Sequence, residues 1–289
     1  MSILANKIDF AVILSVKNAN PNGDPLNGNR PRETYDGFGE ISDVCIKRKI
    51  RNRLLDMGQP IFVQSDDKRI DGFKSLRDRA DAVTELKKAE KAKDNDTYAK
   101  IACDKWMDVR SFGQVFAFKD SGASIGVRGP VSVHPAFSVF PIDIASMQIT
   151  KSVNSVTGDK KSSDTMGMKH TVPFGLYVFY GSINCQLAEK TGFSKEDAEL
   201  IHKALETLFE NDTSSARPDG SMEVCRVYWW KHNSKAGQYP SAKVHRSLCI
   251  KPKQDKKIPN GGLPFDLDEY YDISVEPLED LTPDVYHGV

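Results

Sequence analysis

Residues 8–17 read Ile-Asp-Phe-Ala-Val-Ile-Leu-Ser-Val-Lys. Ile8, Phe10, Val12, Leu14 and Val16 share one face of an extended chain, and Asp9, Ala11, Ile13, Ser15 and Lys17 share the other. This alternation predicts a half-buried strand. It puts Lys17 on the open face, leading into a stretch of different character. Residues 18–32 read Asn-Ala-Asn-Pro-Asn-Gly-Asp-Pro-Leu-Asn-Gly-Asn-Arg-Pro-Arg, and thirteen of these fifteen are Asn, Pro, Gly, Asp or Arg. Proline fixes φ and removes donors, glycine permits positive φ, and asparagine bonds its own backbone in turns. Such a loop exposes the amides of Asn18, Asn20 and Asn22 and the guanidiniums of Arg30 and Arg32.

Residues 42–57 follow with Ile46, Ile50, Leu54 and Met57 on one stripe at helical spacing, and Gly58 ends the run. Lys47, Arg48, Lys49, Arg51 and Arg53 have no acid among them. At 100° per residue, Lys47, Arg48 and Arg51 share a sector of about 100° beside the apolar stripe, whereas Lys49 and Arg53 point elsewhere. Ser42 stands at the helix start, where a hydroxyl and exposed amides suit an anion. A polar loop beside a cationic helix is a cradle for a polyanion such as nucleic acid.

Downstream, residues 66–108 are charge-dense and helical in pattern, as a solvated insertion would be. Residues 123–139 and 142–149 read as strands. Residues 150–171, rich in Ser, Asp, Lys and Gly, read as a long projecting loop or hairpin, and 175–185 as a strand. Residues 194–210 form a helix with Ser194 and Asp197 as an N-cap signal, and Ala198, Ile201, Leu205 and Leu208 as its buried stripe. A final strand covers 222–230. The order strand, helix, strands, helix, strand predicts an α+β fold: a ferredoxin-like β-α-β-β-α-β core, the layout of RNA-recognition domains. Two helices would cover one sheet face, leaving the other face, or its edge beside the inserted loops, for a ligand. Tyr177, Phe179, Tyr228, Trp229 and Trp230 are expected mostly in the core rather than as base platforms.

The chain has 289 residues, 39% hydrophobic and 28% charged, enough for one elaborated domain with a real core. Residues 1–7 lack the apolar segment of a secretory signal, and no run approaches the roughly 18 apolar residues of a membrane span. Five scattered cysteines without a CxxC fit reduced thiols in the cytoplasm. The six histidines show no HExxH, so no metal site and no cofactor are expected. Net charge is zero, but residues 258–289 carry eight acids and no Lys or Arg. That leaves 40 bases against 32 acids, a net of +8, on residues 1–257. A basic body with an acidic tail points to a polyanionic ligand or to charge-matched neighbours. The tail could meet a neighbouring copy, although Tyr271, Ile273 and Val275 alternate like a strand that completes the sheet.

Asn20-Pro21-Asn22-Gly23-Asp24-Pro25 and Asn29-Arg30-Pro31-Arg32 resemble a specific family. So, in order, do Asp108-Val109-Arg110-Ser111-Phe112-Gly113, Gly129-Pro130-Val131 and Ser215-Ala216-Arg217-Pro218 leading to Met222. The chain resembles the backbone subunit of the CRISPR surveillance complex Cascade: the Cas-seven family of the RAMP superfamily, in its type I-C branch. One position departs, Ser132, where Gln is expected after Gly-Pro-Val. The resemblance implies a ferredoxin-like palm (1–60, 110–150 and 172–257), a helical insertion (61–109), a thumb hairpin (150–171) and the acidic segment (258–289). It implies a non-catalytic subunit that stacks head-to-tail along guide crRNA and presents it to a target DNA strand. Other Cascade subunits, a large subunit and one that caps or processes the crRNA end, would be partners, and no membrane. The palm grip would comprise Lys17, Asn18, Asn20, Asn22, Arg30, Arg32, Ser42, Lys47, Arg48 and Arg51. The thumb would carry Lys160, Lys161, Met166, Met168 and Lys169, with a flexible methionine wedging beside an unstacked base. A subunit that binds every guide contacts phosphate and sugar rather than base edges.

Two other readings compete. One is a metal-dependent endoribonuclease of the same fold using Asp24; against it, an Asp flanked by Gly and Pro suits a turn. His134, His170 and His245 could serve acid–base chemistry, but no spacing pairs them. The other is a general single-strand binder without ordered multimers.

Overall fold

A computed structural model describes residues 2–118, 124–150, 166–257 and 265–288. The strand Ile8–Ala19 lies at the centre of an antiparallel sheet. It pairs with Met166–Ile183 on one side, Ile8 opposite Ile183 and Val16 opposite Gly175. On the other side it pairs with Met222–Lys231, Ile8 opposite Lys231. Across the sheet the order is Asp284–His287, Met222–Lys231, Ile8–Ala19, Met166–Ile183, Ala136–Pro141 and Phe38–Ile41. The strands Val131–Val133 and Ala145–Thr150 also pair with Met166–Ile183.

Phe10, Val12, Leu14 and Val16 share a core with two helices, Asp43–Asp56 and Lys195–Glu206, which contribute Ile46, Ile50 and Leu54, and Ala198, Ile201 and Leu205. Each fully buried aliphatic side chain contributes about 1.5–3 kcal/mol of transfer free energy, so this layer fixes both helices. Ser42 caps the first helix and Gly58, at φ 78°, follows it. Ser194 and Asp197 form the capping box of the second. The five strand aromatics, Tyr177, Phe179, Tyr228, Trp229 and Trp230, are all buried.

The opposite face is not open, and the central strand is not half-buried. Ala11 and Ile13 pack with Val244, Leu248, Leu267, Tyr271 and Leu281 from the C-terminal third. Asp9, which reads as solvent-facing, is fully buried because it has partners: His232 Nε2 at 2.8 Å and Lys7 Nζ at 3.0 Å. Tyr271–Val275 pairs with Leu248–Pro252 over that face, and Asp284–His287 extends the main sheet at its edge. The tail's acids find partners within the chain, Asp284 with Lys231 at 3.0 Å and Asp268 with Arg226 at 2.6 Å.

The helices Leu76–Asp81, Thr84–Ala92, Asn95–Lys105 and Met107–Phe112 gather around a separate core. It contains Phe62, Leu86, Tyr98 and Trp106, together with Phe116 and Ile125 of the hairpin Gly113–Ala117/Ser124–Arg128. Met107 belongs to the sheet core and Val109 to this second one, so Met107–Phe112 joins the two layers. Two of the sequence motifs meet here. A Cβ on Gly129 would lie 2.3 Å from Ser111 O, and one on Gly113 the same distance from Val127 O.

Residues 166–171 do not form a loop. They begin the long strand Met166–Ile183 and pair with Ala145–Thr150, Met166 opposite Thr150 and Thr171 opposite Ala145. Lys160 and Lys161 lie outside the described residues.

Candidate nucleic-acid interface

The Asn-rich loop is folded back on itself rather than splayed. Asn18 and Asn29 adopt positive φ, 51° and 59°. Asn20 is buried; its Nδ2 donates to Asn29 O at 2.7 Å and its backbone N–H to Ala216 O at 2.9 Å. Asn22 Oδ1 accepts from both the N–H and the hydroxyl of Ser42, each at 2.9 Å, which pins the loop to the start of the basic helix. Asp24 Oδ1 accepts from Leu26 N–H at 3.2 Å and from Arg32 Nη2 at 3.4 Å, the behaviour of a turn residue. The side chains of Asn20, Asn22 and Ser42 are thus engaged in shaping the loop. The amide-rich sequence spends much of its hydrogen bonding on its own shape, while Asn27 and Asn29 stay exposed at the tip.

Each cation of the helix Asp43–Asp56 faces a carboxylate. Lys47 pairs with Asp43 at 2.9 Å, one turn back. Arg51 Nε donates to the buried Asp108 at 3.0 Å, with its guanidinium 5.0 Å from the Phe112 ring centre. Arg53 meets Glu210 and donates to Thr207 Oγ1 at 2.7 Å. Arg48 is the most open of the five; its side chain is 62% exposed and lies 3.6 Å from Asp67. Lys49, which the helical wheel points away from the basic sector, is buried against Asp212. Burial pulls its ammonium pKa below the usual lysine range, against the opposing pull of Asp212.

Arg48 and Lys49 line a cleft with Lys68, Asn211, Asp212 and Arg217. Arg217 Nε lies 3.3 Å from Asp212, and Lys68 3.4 Å from Asp56. Neither Lys68 nor Arg217 enters the sequence-derived grip. Arg217 sits inside the Ser215–Met222 motif, which was the one available signal, yet nothing in the sequence joins it to a helix about 165 residues earlier.

A second cleft opens at the foot of the exposed hairpin. Asn20, Gly28 and Asn29 line it from the loop, Met168, Lys169 and His170 from the hairpin, and Ser215 and Ala216 from the 211–217 loop that borders the first cleft. Arg30 Nη1 donates to Ser146 Oγ at 3.1 Å, and Ser146 contacts His170 Nδ1 at 2.8 Å, tying loop to hairpin. Met166 and Met168 are exposed, as are Met147 and Ile149 on the paired strand. Lys17 lies 3.8 Å from Glu223 and 5.6 Å from the Phe265 ring centre.

Elsewhere, His232 accepts the Gln238 N–H at Nδ1, 3.0 Å, and so presents Nε2–H to Asp9. Both ring nitrogens are engaged, which fits a structural role. Among the described residues no three His, Cys, Asp or Glu side chains are grouped to hold a metal ion, and no helix is long and apolar enough to cross a membrane.

A family model described as CRISPR-associated protein Cas7 matches residues 6–273. A curated relative of that description from Haloferax volcanii is 26% identical over 229 residues, 73% of this chain and 66% of the relative. The chain therefore spans just under two thirds of that relative's length. Two solved structures, described as "CRISPR RNA-guided surveillance complex, pre-nicking" and "CRISPR RNA-guided surveillance complex", align with TM-scores of 0.49 and 0.44 at 16% and 17% identity. Each covers 78% of this chain, with 78% and 68% of the respective structures' chains matched. The family match runs from the first strand through both clefts and into the strand Tyr271–Val275, and the chain belongs to the Cas7 family of CRISPR-associated proteins.

Proposed function

We propose that this chain is a non-catalytic backbone subunit of an RNA-guided surveillance complex, of the type I-C branch, acting in the cytoplasm. Its sheet order supports reading the core as a ferredoxin-like palm, with the second core as the helical insertion and the exposed hairpin as the thumb. The subunit binds guide crRNA through phosphates, stacks head-to-tail along it, and presents it for pairing with a target DNA strand. A large subunit and a subunit at the crRNA end complete the assembly.

One observation carries this reading: the two clefts share the 211–217 loop and are lined by Arg48, Lys68 and Arg217 on one side and Lys169 and His170 on the other. Guanidinium and ammonium groups suit phosphate oxygens, the contact a sequence-independent binder requires. Asp24 supports the non-catalytic role, since its carboxylate is held by a backbone amide and Arg32.

Binding of guides of unrelated sequence across a salt series tests this. Arg48→Ala and Arg217→Ala should weaken binding by the same factor for every guide. Each should reduce the log–log salt slope by about 0.7, the value for one phosphate contact on a single strand. Unchanged slopes in both variants would remove the cleft from the interface.

A further inference from the structure

We propose that Asp67 and Asp212 are specificity-determining residues: in the free chain they occupy the places that guide phosphates take in the first cleft, so that only a strand engaging several contacts at once displaces them. The inference rests on the RNA-binding reading above. Its basis is the pairing of the cations. All five basic residues of the helix Asp43–Asp56 have a carboxylate partner. These carboxylates differ in what could replace them. Asp108 is closed inside the protein and also accepts two backbone N–H groups, so no ligand reaches it. Asp67 and Asp212 line the cleft itself, between Arg48, Lys49, Lys68 and Arg217. Asp67 is 75% exposed; it lies 3.6 Å from Arg48, and its carboxyl also engages the Ser65 side chain and sits near Lys68. Asp212 is shared by the buried Lys49 and by Arg217, so one anion neutralises two cations from separate segments. A phosphodiester carries the same charge and acceptor oxygens as such a carboxylate.

The consequence is a threshold. An isolated phosphate gains little by exchanging places with a carboxylate already in position. A guide threaded along several copies makes the exchange many times within one molecule, and those gains multiply. Stray single strands, held at one or two points, are disfavoured.

The test uses the full chain and a random-sequence single-stranded RNA too short to hold two copies. Asp67→Asn should bind that RNA about two- to fivefold more tightly, the scale of an exposed ion pair. Asp212→Asn should do the same or more, but it strands the buried Lys49 and needs a melting curve beside it; Asp67→Asn, on the surface, is free of that concern. Asp143→Asn removes one exposed negative charge outside the cleft and controls for net charge. In an Arg48→Ala background the gain from Asp67→Asn should shrink, and with Lys68→Ala added it should vanish. A gain in Asp67→Asn no greater than in Asp143→Asn, or one that persists without both Arg48 and Lys68, overturns the masking. Failure of the wild-type chain to bind either this RNA or a full-length guide overturns the RNA-binding reading itself, a separate result.

Discussion

Asp108 shows how much one side chain can organise. Its buried carboxylate accepts from Phe62 N–H at 2.7 Å, Val63 N–H at 3.0 Å and Arg51 Nε at 3.0 Å. Removing it strands two amides and a guanidinium. Asp108→Ala should therefore lower the unfolding free energy by about 3–5 kcal/mol, read from urea denaturation. A loss below about 1 kcal/mol would mean that water replaces the carboxylate. Arg110, two residues on, donates Nε and Nη2 to Asp197 at 2.9 and 2.7 Å, so one short motif fastens both the loop after the basic helix and the capping box of the second helix. The sequence displays that motif but not its partners. Helical geometry gives the direction of a side chain and says nothing of what waits there. That is why Lys49, directed away from the basic sector, lines the cleft, while Arg51, directed into it, is bound to Asp108.

Among the elements, the hairpin is set apart by apolar side chains that serve no core of their own. Met166 and Met168 project from one strand, Met147 and Ile149 from the other. Exposed residues of this kind contribute within about 0.5 kcal/mol to the chain's own stability. The double substitution Met166→Ser with Met168→Ser should leave the melting temperature within about 2 °C of wild type. It should still reduce the number of copies held on a guide. A lower melting temperature with unchanged assembly would make the methionines ordinary packing. Elements were legible wherever a local signal defines them: the Ser42 and Ser194 caps and the stripe Ile46, Ile50, Leu54 appear as read. The first strand was misjudged because alternation counts Asp9 as a solvent residue. Lys7 stands two residues away, but His232, the partner that completes its burial, comes from 223 residues further on. In the covering layer the alternation of Tyr271, Ile273 and Val275 marked the strand, but its pairing with Leu248–Pro252 across the sheet face instead of at the sheet edge is a tertiary fact.

At the scale of the whole molecule, that covering layer carries a pH dependence. Burial holds the His245 imidazole pKa below its ordinary range; Asp9, His134 and Lys7 are its charged or titratable neighbours, and its Nε2 faces Gly181 O at 3.1 Å. Burial acts on His202 in the same direction, beneath Trp229 and Tyr286. A histidine whose folded pKa is depressed favours folding fully above its unfolded pKa, and that stability is lost as the pH falls from there toward the folded value. The urea midpoint should thus be lower at about pH 5.5 than at about pH 7.5, since unfolded histidines titrate near pH 6.5. His245→Gln should shrink the difference, and an identical midpoint at both pH values would contradict the assignment. The central claim, a subunit that repeats along a guide, is tested most directly by native mass spectrometry of the chain with guides of increasing length and unrelated sequence. The bound copy number should rise in regular steps with guide length and should not change with sequence. A single copy on every guide, or a number set by sequence rather than length, would contradict it.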